Sequence, residues 1–303
     1  MHRSAGRPRP AADSAQRPKS LNPDCRLRHN GVHTMLKRKS LYSEPAASPT
    51  VRIRRSYFEC RFGQLHVHHA IPGGGGFEEG TPLLALHGTA HSGRLFSGLL
   101  ASLGRDRSVF APDLPGFGES DAPESLSISA LNGAIGDFLE AMRLRQVDVL
   151  GCGLGIRIAL ELAATRAAVR RVVLAAVTTT EMPQPPPSAD RAEPFLREVW
   201  AGARADLGTD ATLAQLCAAS GDRLRNAVAA ARAAAERLGP PRERLAAISQ
   251  PLLVLHPADA PHGFGLSAAD LPTHARRALC ADMAQLQVAA PPVVAAIQDF
   301  LTD

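Results

Sequence analysis

The sequence predicts an α/β fold with a doubly wound, mostly parallel sheet. Short apolar stretches with the character of strands alternate with helical patterns from about residue 82 to residue 177. Such alternation is typical of parallel sheets with helices on both faces. After a helical interruption, the strand pattern resumes at residues 251–255. The 303 residues, 45% of them hydrophobic, suffice for one large domain with an insertion or for two small domains.

Most of the predicted elements lie between residues 51 and 177. Residues 51–61 and 64–71 alternate or are β-branched, and they predict an opening antiparallel pair of strands. Pro72 and the four glycines that follow it predict a turn. The alternation that follows is predicted as a strand at 82–86, a helix at 93–103, a strand at 108–111, a helix at about 127–142, a strand at 147–150, a further helix, and a strand at 171–177.

A helical insertion interrupts the strand pattern in the second half of the chain. Prolines at 183–187 break the chain, and Ala- and Arg-rich helical residues follow them up to Gly239. A strand at 251–255, a strand at 283–288 and an amphipathic helix at 293–301 complete the domain. We therefore expect one domain over 51–303 with a helical cap at about 178–245. Four apolar residues form its expected underside, either as packing residues or as the lining of a ligand pocket: Phe195, Leu196, Val199 and Trp200.

Charge is distributed unevenly along the chain. The formal net charge is +5, but residues 1–55 hold 13 of the 34 basic residues and 3 of the 29 acidic ones. The rest of the chain therefore carries 21 basic and 26 acidic residues. Since nucleic-acid proteins more often carry basic charge on a structured face, no nucleic-acid partner is expected.

The first 50 residues are predicted to be a disordered basic tail, because they are rich in Arg, Ser and Pro and lack hydrophobic periodicity. An organelle targeting segment is one alternative, and a translation start at Met35 is another. No apolar segment follows the charges, so a secretory signal is not expected.

The cysteines and the hydropathy limit the compartment and the partners. Five scattered cysteines show no CxxC or Cys/His spacing, which favours a reduced protein without a metal. No apolar run approaches the roughly 18–20 residues of a membrane span, so no membrane partner is expected. We expect a cytoplasmic protein whose partner is a small molecule.

A glycine-rich turn joins the predicted strand at 147–150 to a helix. The pentapeptide GCGLG at 151–155 has the frame of the Gly-x-Ser-x-Gly nucleophile elbow, with Gly153 at the position of the serine. Two loops accompany it, LHGTAHS at 86–92 and APDLPGFGESD at 111–121. With the strand that leads to Asp259 and the final helix, these stretches resemble the α/β-hydrolase superfamily over about residues 56–302. The resemblance implies a single-domain hydrolase with a helical lid.

The residues that catalysis on this fold requires are incomplete. Hydrolysis needs a nucleophile at the elbow, a histidine base and an acid that orients the base. Gly153 supplies no nucleophile, although glycine keeps such a turn without steric penalty. The resemblance places the base between the last strand and the last helix, where no histidine follows His274 and the loop looks shortened. Asp259 matches the acid, and an ordinary loop aspartate is the alternative.

Other residues are weaker candidates. Cys152 is a possible nucleophile, but it lies one residue before the apex, and small buried cysteines are usually packing residues. His87 matches a loop histidine that braces the backbone, whereas His91 lies further along that loop and can face the pocket. His262 and His274 reach the site only if their loop folds back. Three histidines are expected on the solvated face of an edge strand: His66, His68 and His69.

The apparatus for binding a carbonyl group is expected to be intact. The resemblance assigns an oxyanion hole to Gly88, Thr89 and Leu154, and Leu154 begins a helix whose N-terminus favours negative charge. The glycines at 151–155 do not fit a dinucleotide fingerprint, so no cofactor is expected. Two hypotheses follow. The first is a protein that binds a small carbonyl-bearing or apolar ligand with little or no hydrolysis. The second is an active hydrolase of small esters or thioesters that uses Cys152 or a water activated by a displaced histidine.

Overall fold

The computed structural model describes residues 51–73, 79–176, 192–208, 211–235, 242–258 and 268–303. The predicted tail at 1–50, the start of the predicted cap, and the candidates Asp259 and His262 lie outside these residues.

An eight-stranded sheet forms the centre of the described chain. Its strand order is β1-β2-β4-β3-β5-β6-β7-β8. Strand β2 is antiparallel to β1 and to β4, and the pairs from β3 onward are parallel. The strands are β1 (Ile53–Cys60), β2 (Gly63–Ala70), β3 (Gly80–Leu86), β4 (Arg107–Pro112), β5 (Val147–Cys152), β6 (Val169–Ala175), β7 (Leu252–His256) and β8 (Arg276–Leu279). The predicted doubly wound, mostly parallel α/β fold is confirmed.

Helices cover both faces of the sheet. The helices are α1 (Ser97–Leu103), α2 (Ile128–Ala141), α3 (Leu154–Thr165), α4 (Ala192–Leu207), α5 (Leu213–Ala235), α6 (Arg242–Ala246), α7 (Met283–Gln287) and α8 (Pro291–Thr302). Apolar residues of α2 and α3 pack in one hydrophobic cluster with the sheet, and those of α1, α7 and α8 pack in a second cluster. Because both faces are covered, every residue of β4 and β5 is buried.

The predicted last strand at 283–288 is wrong. Residues Met283–Gln287 form helix α7, in which Asp282 is the N-cap and accepts a hydrogen bond from the Gln285 backbone N–H. The buried residues Met283 and Leu286 are three apart, which is helical spacing. The last strand is instead β8, an edge strand of sequence RRAL whose side chains are exposed or half-buried. Its charge and short length conceal it from a search for apolar runs.

Asp148, a buried carboxylate of β5, pairs with arginines of strands β4 and β6. Asp148 is fully buried and accepts two hydrogen bonds, of 2.9 and 2.7 Å, from Arg170. The buried Arg107 lies 3.6 Å from the same carboxylate. Arg170 also donates to the Leu301 carbonyl oxygen, so the same ion pair holds the end of α8.

Replacement of Asp148 by Asn is expected to lower the free energy of unfolding by about 3 kcal/mol, because removal of one partner leaves a buried guanidinium without its counter-charge. Urea denaturation measures the change. Asp137→Asn is the matched control: Asp137 pairs with the exposed Arg61, and its loss is expected to cost at most about 1 kcal/mol. Equal effects of the two substitutions would contradict this assignment.

Candidate active site

The backbone at residue 153 forms the turn between β5 and α3. Gly153 has φ 54° and ψ −121°, a conformation that side chains rarely adopt. The flanking glycines are packed against backbone. A Cβ on Gly155 would lie 2.0 Å from the Leu86 carbonyl oxygen, and one on Gly151 would lie 2.4 Å from the Gly155 carbonyl oxygen. The turn is therefore held in an elbow conformation, and no side chain projects from its apex.

The loop after β3 lies directly against this turn. A Cβ on Gly88 would be 3.4 Å from the Gly153 Cα, and the Gly155 N–H donates to the His87 carbonyl oxygen over 3.0 Å. Leu154 is the first residue of α3, where the N–H groups have no acceptor within the helix. Gly88, Thr89 and Leu154 thus lie in neighbouring backbone segments, as a carbonyl-binding site requires.

His87 holds the loop rather than serving as a base. Its Nε2 accepts the Leu114 backbone N–H over 2.9 Å, so its Nδ1 carries the proton and donates to the Gly88 carbonyl oxygen over 2.8 Å. Burial lowers the pKa of His87, and both nitrogens are engaged. The geometry therefore agrees with the predicted bracing role.

Helix α7 occupies the segment between the last strand and the last helix. Residues 280–303 contain no histidine. The expectation that this loop is shortened is wrong, because Cys280, Ala281, Asp282 and α7 separate β8 from α8. Met283 and Leu286 fill the space with buried apolar side chains.

The Cys152 side chain is completely buried in the cluster formed with α1, α7 and α8. Its Sγ lies 4.0 Å from the Met283 Sδ. Burial, with smaller contributions from Cys280 and Asp206, raises the pKa of the Cys152 thiol far above its ordinary value. A thiol in this environment stays protonated and packs as a small apolar group.

Among the candidates Asp259, His262 and His274, the structure describes only His274, which is not brought to the turn. Asp259 and His262 lie outside the described residues. The exposed His274 lies before β8, and its Nε2 is 3.2 Å from the Gln250 carbonyl oxygen.

The prediction of a solvated face for His66, His68 and His69 is wrong. All three are buried, because β2 lies between β1 and β4 rather than at the edge of the sheet. His66 Nδ1 is 2.9 Å from the Asp113 Oδ2, and burial lowers the pKa of His68 to about 4.

His66, His68 and Asp113 lie close enough together to be considered as metal ligands. The two oxygens of Asp113, however, also accept the backbone N–H groups of Gly93 and Glu119, over 2.7 and 2.9 Å. Burial alone would raise the pKa of Asp113, but His66 and these donors hold it below its ordinary value. The cluster fixes the loop at 113–121.

A cavity of about 440 Å³ lies beside the loop after β3. Its wall combines apolar residues with charged residues of α4 and α5, and none of Gly153, Leu154 and Thr89 is among the residues that line it. The lining residues are Ala90, His91, Arg94, Leu95, Ser97, Gly98, Asp206, Gln215, Ala218, Ala219, Asp222, Arg223, Gln287 and Val288. This cavity is thus displaced from the elbow toward α1, α5 and α7.

His91 lies against the buried carboxylate of Asp206 at this cavity. The His91 Nε2 lies 3.2 Å from the Asp206 Oδ2, and the almost completely buried Arg223 donates to the same oxygen. Burial alone would raise the pKa of Asp206, but His91 and Arg223 together lower it to about 2. Asp206 is therefore ionised at neutral pH.

A second polar group joins α5 to the loops around the elbow. Ser92 donates to Asp222 over 2.8 Å. Asn226 donates to the His91 carbonyl oxygen over 2.6 Å and accepts the Gly118 N–H over 2.8 Å. Sequence reasoning missed Asp206, Asp222 and Asn226. The sequence signal for this group was the pair Asp222 and Asn226, which lie four residues apart in an Ala-rich helical segment.

The predicted apolar underside of the cap needs correction. Phe195 and Val199 are buried against Ala227 of α5, so they join the two helices to each other. Leu196 is 47% exposed and Trp200 is 40% exposed. None of the four residues lines the cavity.

Comparison with known proteins places the chain in a family. A family model described as alpha/beta hydrolase fold matches residues 81–234, about half of the chain. This protein belongs to the alpha/beta hydrolase fold family. Two curated relatives, uncharacterized protein Rv2715 of Mycobacterium tuberculosis and uncharacterized protein Mb2734 of Mycobacterium bovis, are each 32% identical over 85 residues. Those residues are 28% of this chain and 25% of each relative. The matched region thus spans about a quarter of the relatives' length.

Solved structures share the fold at low identity. A serine-to-glycine mutant of the N-acyl homoserine lactonase AidH, complexed with N-hexanoyl homoserine lactone, matches with a TM-score of 0.61 and 24% identity. That match covers 83% of this chain and 98% of AidH. The enol-lactonase from Burkholderia xenovorans LB400 matches with a TM-score of 0.62 and 18% identity, over 82% of this chain and all of that enzyme. In the described residues of this alpha/beta hydrolase, no helix is long and apolar enough to cross a membrane.

Gly155→Ala is expected to destabilise this alpha/beta hydrolase by at least about 3 kcal/mol or to prevent folding, because its Cβ would overlap the Leu86 carbonyl oxygen. Gly221→Ala in α5 is the control. A Cβ there makes only ordinary contacts, at 3.6 Å or more, and alanine is the better helix former by about 1 kcal/mol. Thermal unfolding of both variants checks the prediction, and a neutral Gly155→Ala would overturn it.

Stability is expected to fall as the pH drops from about 4 to about 2, partly through Asp206. Its folded pKa is about 2, below the unfolded value of about 3.9, so its stabilisation is present above the unfolded pKa and is lost on acidification. The contribution is about 2 kcal/mol. Urea denaturation at a series of pH values, with wild type and Asp206→Asn, measures it. Identical pH slopes for both proteins would contradict the assignment.

Proposed function

We propose that this protein is an alpha/beta hydrolase with a degenerate catalytic site, which binds a small carbonyl-bearing or apolar molecule and hydrolyses it little or not at all. The observation that carries the proposal is Gly153. The residue keeps the backbone conformation of an elbow, at φ 54° and ψ −121°, but it offers no atom that can attack a carbonyl carbon. Without that atom no acyl-enzyme can form at this position.

The segment between β8 and α8 supports the same conclusion. The resemblance expects a histidine base there, and the chain has a buried Met283 and Leu286 instead. A retained serine without a base would still indicate a decayed enzyme. Loss at both positions favours a protein that is not maintained for covalent catalysis.

Binding of a carbonyl group does not need either lost residue. Gly88 lies against Gly153, and Leu154 begins α3, whose N-terminus favours a partly negative oxygen. AidH provides an analogy, since its serine-to-glycine mutant is described in complex with a lactone. Unmutated AidH is described in complex with N-butanoyl homoserine. The analogy favours small esters and lactones as ligands.

The alternative of an active hydrolase with Cys152 as nucleophile has less support. The thiol is completely buried, its pKa is raised, and its sulfur contacts Met283 in the cluster with α1, α7 and α8. A thiolate nucleophile requires the opposite: partial exposure and a lowered pKa.

The setting that we propose is a reduced one, consistent with a cytoplasmic location and a small-molecule partner. Four cysteines fall within the described residues, and all of them are free thiols: Cys60, Cys152, Cys217 and Cys280. No nucleic-acid partner is proposed, because the chain beyond residue 55 carries more acidic than basic residues.

Purified protein is expected to form no covalent adduct with a fluorophosphonate probe or with short nitrophenyl esters and thioesters. Turnover of the esters and thioesters is expected to exceed the buffer rate by at most a small factor, because no side-chain nucleophile is present at the turn. Intact-protein mass spectrometry and product release are the measurements. A ketone isostere of the ester, which water cannot cleave, is nevertheless expected to bind in isothermal titration calorimetry.

Two variants make this test specific. Cys152→Ala is expected to leave both results unchanged, and Gly153→Val is expected to abolish ketone binding, because a β-branched side chain at φ 54° distorts the turn that carries Leu154. An acyl adduct that disappears in Cys152→Ala would replace this proposal with the thiol mechanism. Absence of any ketone binding would remove the proposed ligand class.

A further inference from the structure

His91 is a buried histidine with one nitrogen that has no partner. The residue is 8% exposed and lines the cavity beside the loop after β3. Its Nε2 lies 3.2 Å from the Asp206 Oδ2, in an ion-pair contact rather than a well-aligned hydrogen bond, and its Nδ1 has no partner of either kind among the described residues. Burial of a polar atom without a hydrogen bond is unfavourable, so such an atom in a native protein needs an explanation.

The environment fixes which nitrogen carries the proton. Asp206 is ionised and held by Arg223, so the hydrogen of the neutral imidazole lies on Nε2, where it faces a carboxylate. The Nδ1 then carries a lone pair that can accept a proton. A carboxylate that orients an imidazole, and thereby leaves the other nitrogen basic, is the arrangement of a general base.

The backbone of His91 is fixed close to the oxyanion loop. Its N–H donates to the Gly88 carbonyl oxygen over 3.1 Å, and its carbonyl oxygen accepts the Asn226 side chain over 2.6 Å. Gly88 in turn lies against Gly153. The imidazole is thus carried by a rigid segment two residues beyond Thr89.

We propose that His91 is a relocated general base that activates a water molecule toward a carbonyl compound held at the Thr89 and Leu154 N–H groups, with Asp206 as its positioning residue. This inference rests on the proposed function, because it needs the bound carbonyl compound. It explains how a site without a side-chain nucleophile can support slow hydrolysis. The cavity next to His91 is large enough for water and for the alcohol part of a small ester.

The reaction is a direct hydrolysis. The water oxygen bonds to the carbonyl carbon while one water proton moves to His91 Nδ1, and the π electron pair moves to the carbonyl oxygen at the two N–H groups. The tetrahedral intermediate then collapses, the bond from carbon to the alkoxy oxygen breaks, and that oxygen takes the proton from His91. The products are a carboxylic acid and an alcohol, and no bond to the protein forms.

Hydrolysis of short nitrophenyl and thiol esters by the full-length protein tests this step. Wild type is expected to exceed the buffer rate by a small but measurable factor, and His91→Gln is expected to remove at least nine-tenths of the excess. Asp206→Asn is expected to lower kcat more than it raises KM, because it changes orientation and not binding. His274→Gln, which alters an exposed histidine, is the matched control and is expected to leave the rate unchanged.

Chemical rescue separates a base from a structural residue. Free imidazole is expected to restore part of the excess rate in His91→Ala, and the wild-type rate is expected to fall about two-fold in D₂O. Binding of the ketone isostere and the thermal unfolding midpoint are measured for each variant. A folded variant that binds the ketone and keeps the wild-type rate would overturn the inference, as would a wild-type rate equal to buffer. Either result would leave the proposed binding function in place. If wild type did not bind the ketone, the binding function and the inference about His91 would both be overturned.

Discussion

The close contact between the loop after β3 and the turn after β5 constrains the rest of this molecule. Gly155 has no room for a side chain beneath the Leu86 carbonyl oxygen, and Gly88 rests on Gly153. These contacts are between backbone atoms, so they do not depend on a side chain at the apex. Strand order, helix α3 and the N–H groups of Thr89 and Leu154 therefore keep their places without a side chain at the apex.

Buried charge is the second organising feature, and it lies at the cavity beside the loop after β3. Asp206, Arg223 and His91 are removed from water together, and ion pairs of this kind rarely increase stability over apolar packing. These groups contribute orientation instead, because the Asp206 carboxylate fixes the positions of the Arg223 and His91 side chains. Asn226 adds a neutral bridge to the loops at 88–92 and 113–121, so α5 is held by directional bonds rather than by apolar contact alone.

The sequence was sufficient for the features that depend on local pattern. The alternating strands, the elbow at Gly153 and the bracing role of His87 follow from short stretches with specific residue types. Strand β8 could not be found in this way, because RRAL is a charged edge strand and its neighbour α7 contains the apolar residues. The burial of His66 and His68 depends on β2 lying inside the sheet, and the pairing of His91 with Asp206 joins residues 115 positions apart. No local pattern encodes either relationship.

The position of His91 is consistent with the chemistry that glycine imposes. When a serine is the nucleophile, the base has to meet a side chain at the apex, and a histidine after the last strand serves that geometry. A water molecule has no fixed attachment, so its base only has to lie near the bound carbonyl group. A histidine on the oxyanion loop itself meets that condition, because the same backbone segment carries a carbonyl-binding N–H and the imidazole. Under the proposal, a site without a side chain at residue 153 does not need a base after the last strand, and the carboxylate of Asp206 orients His91 instead.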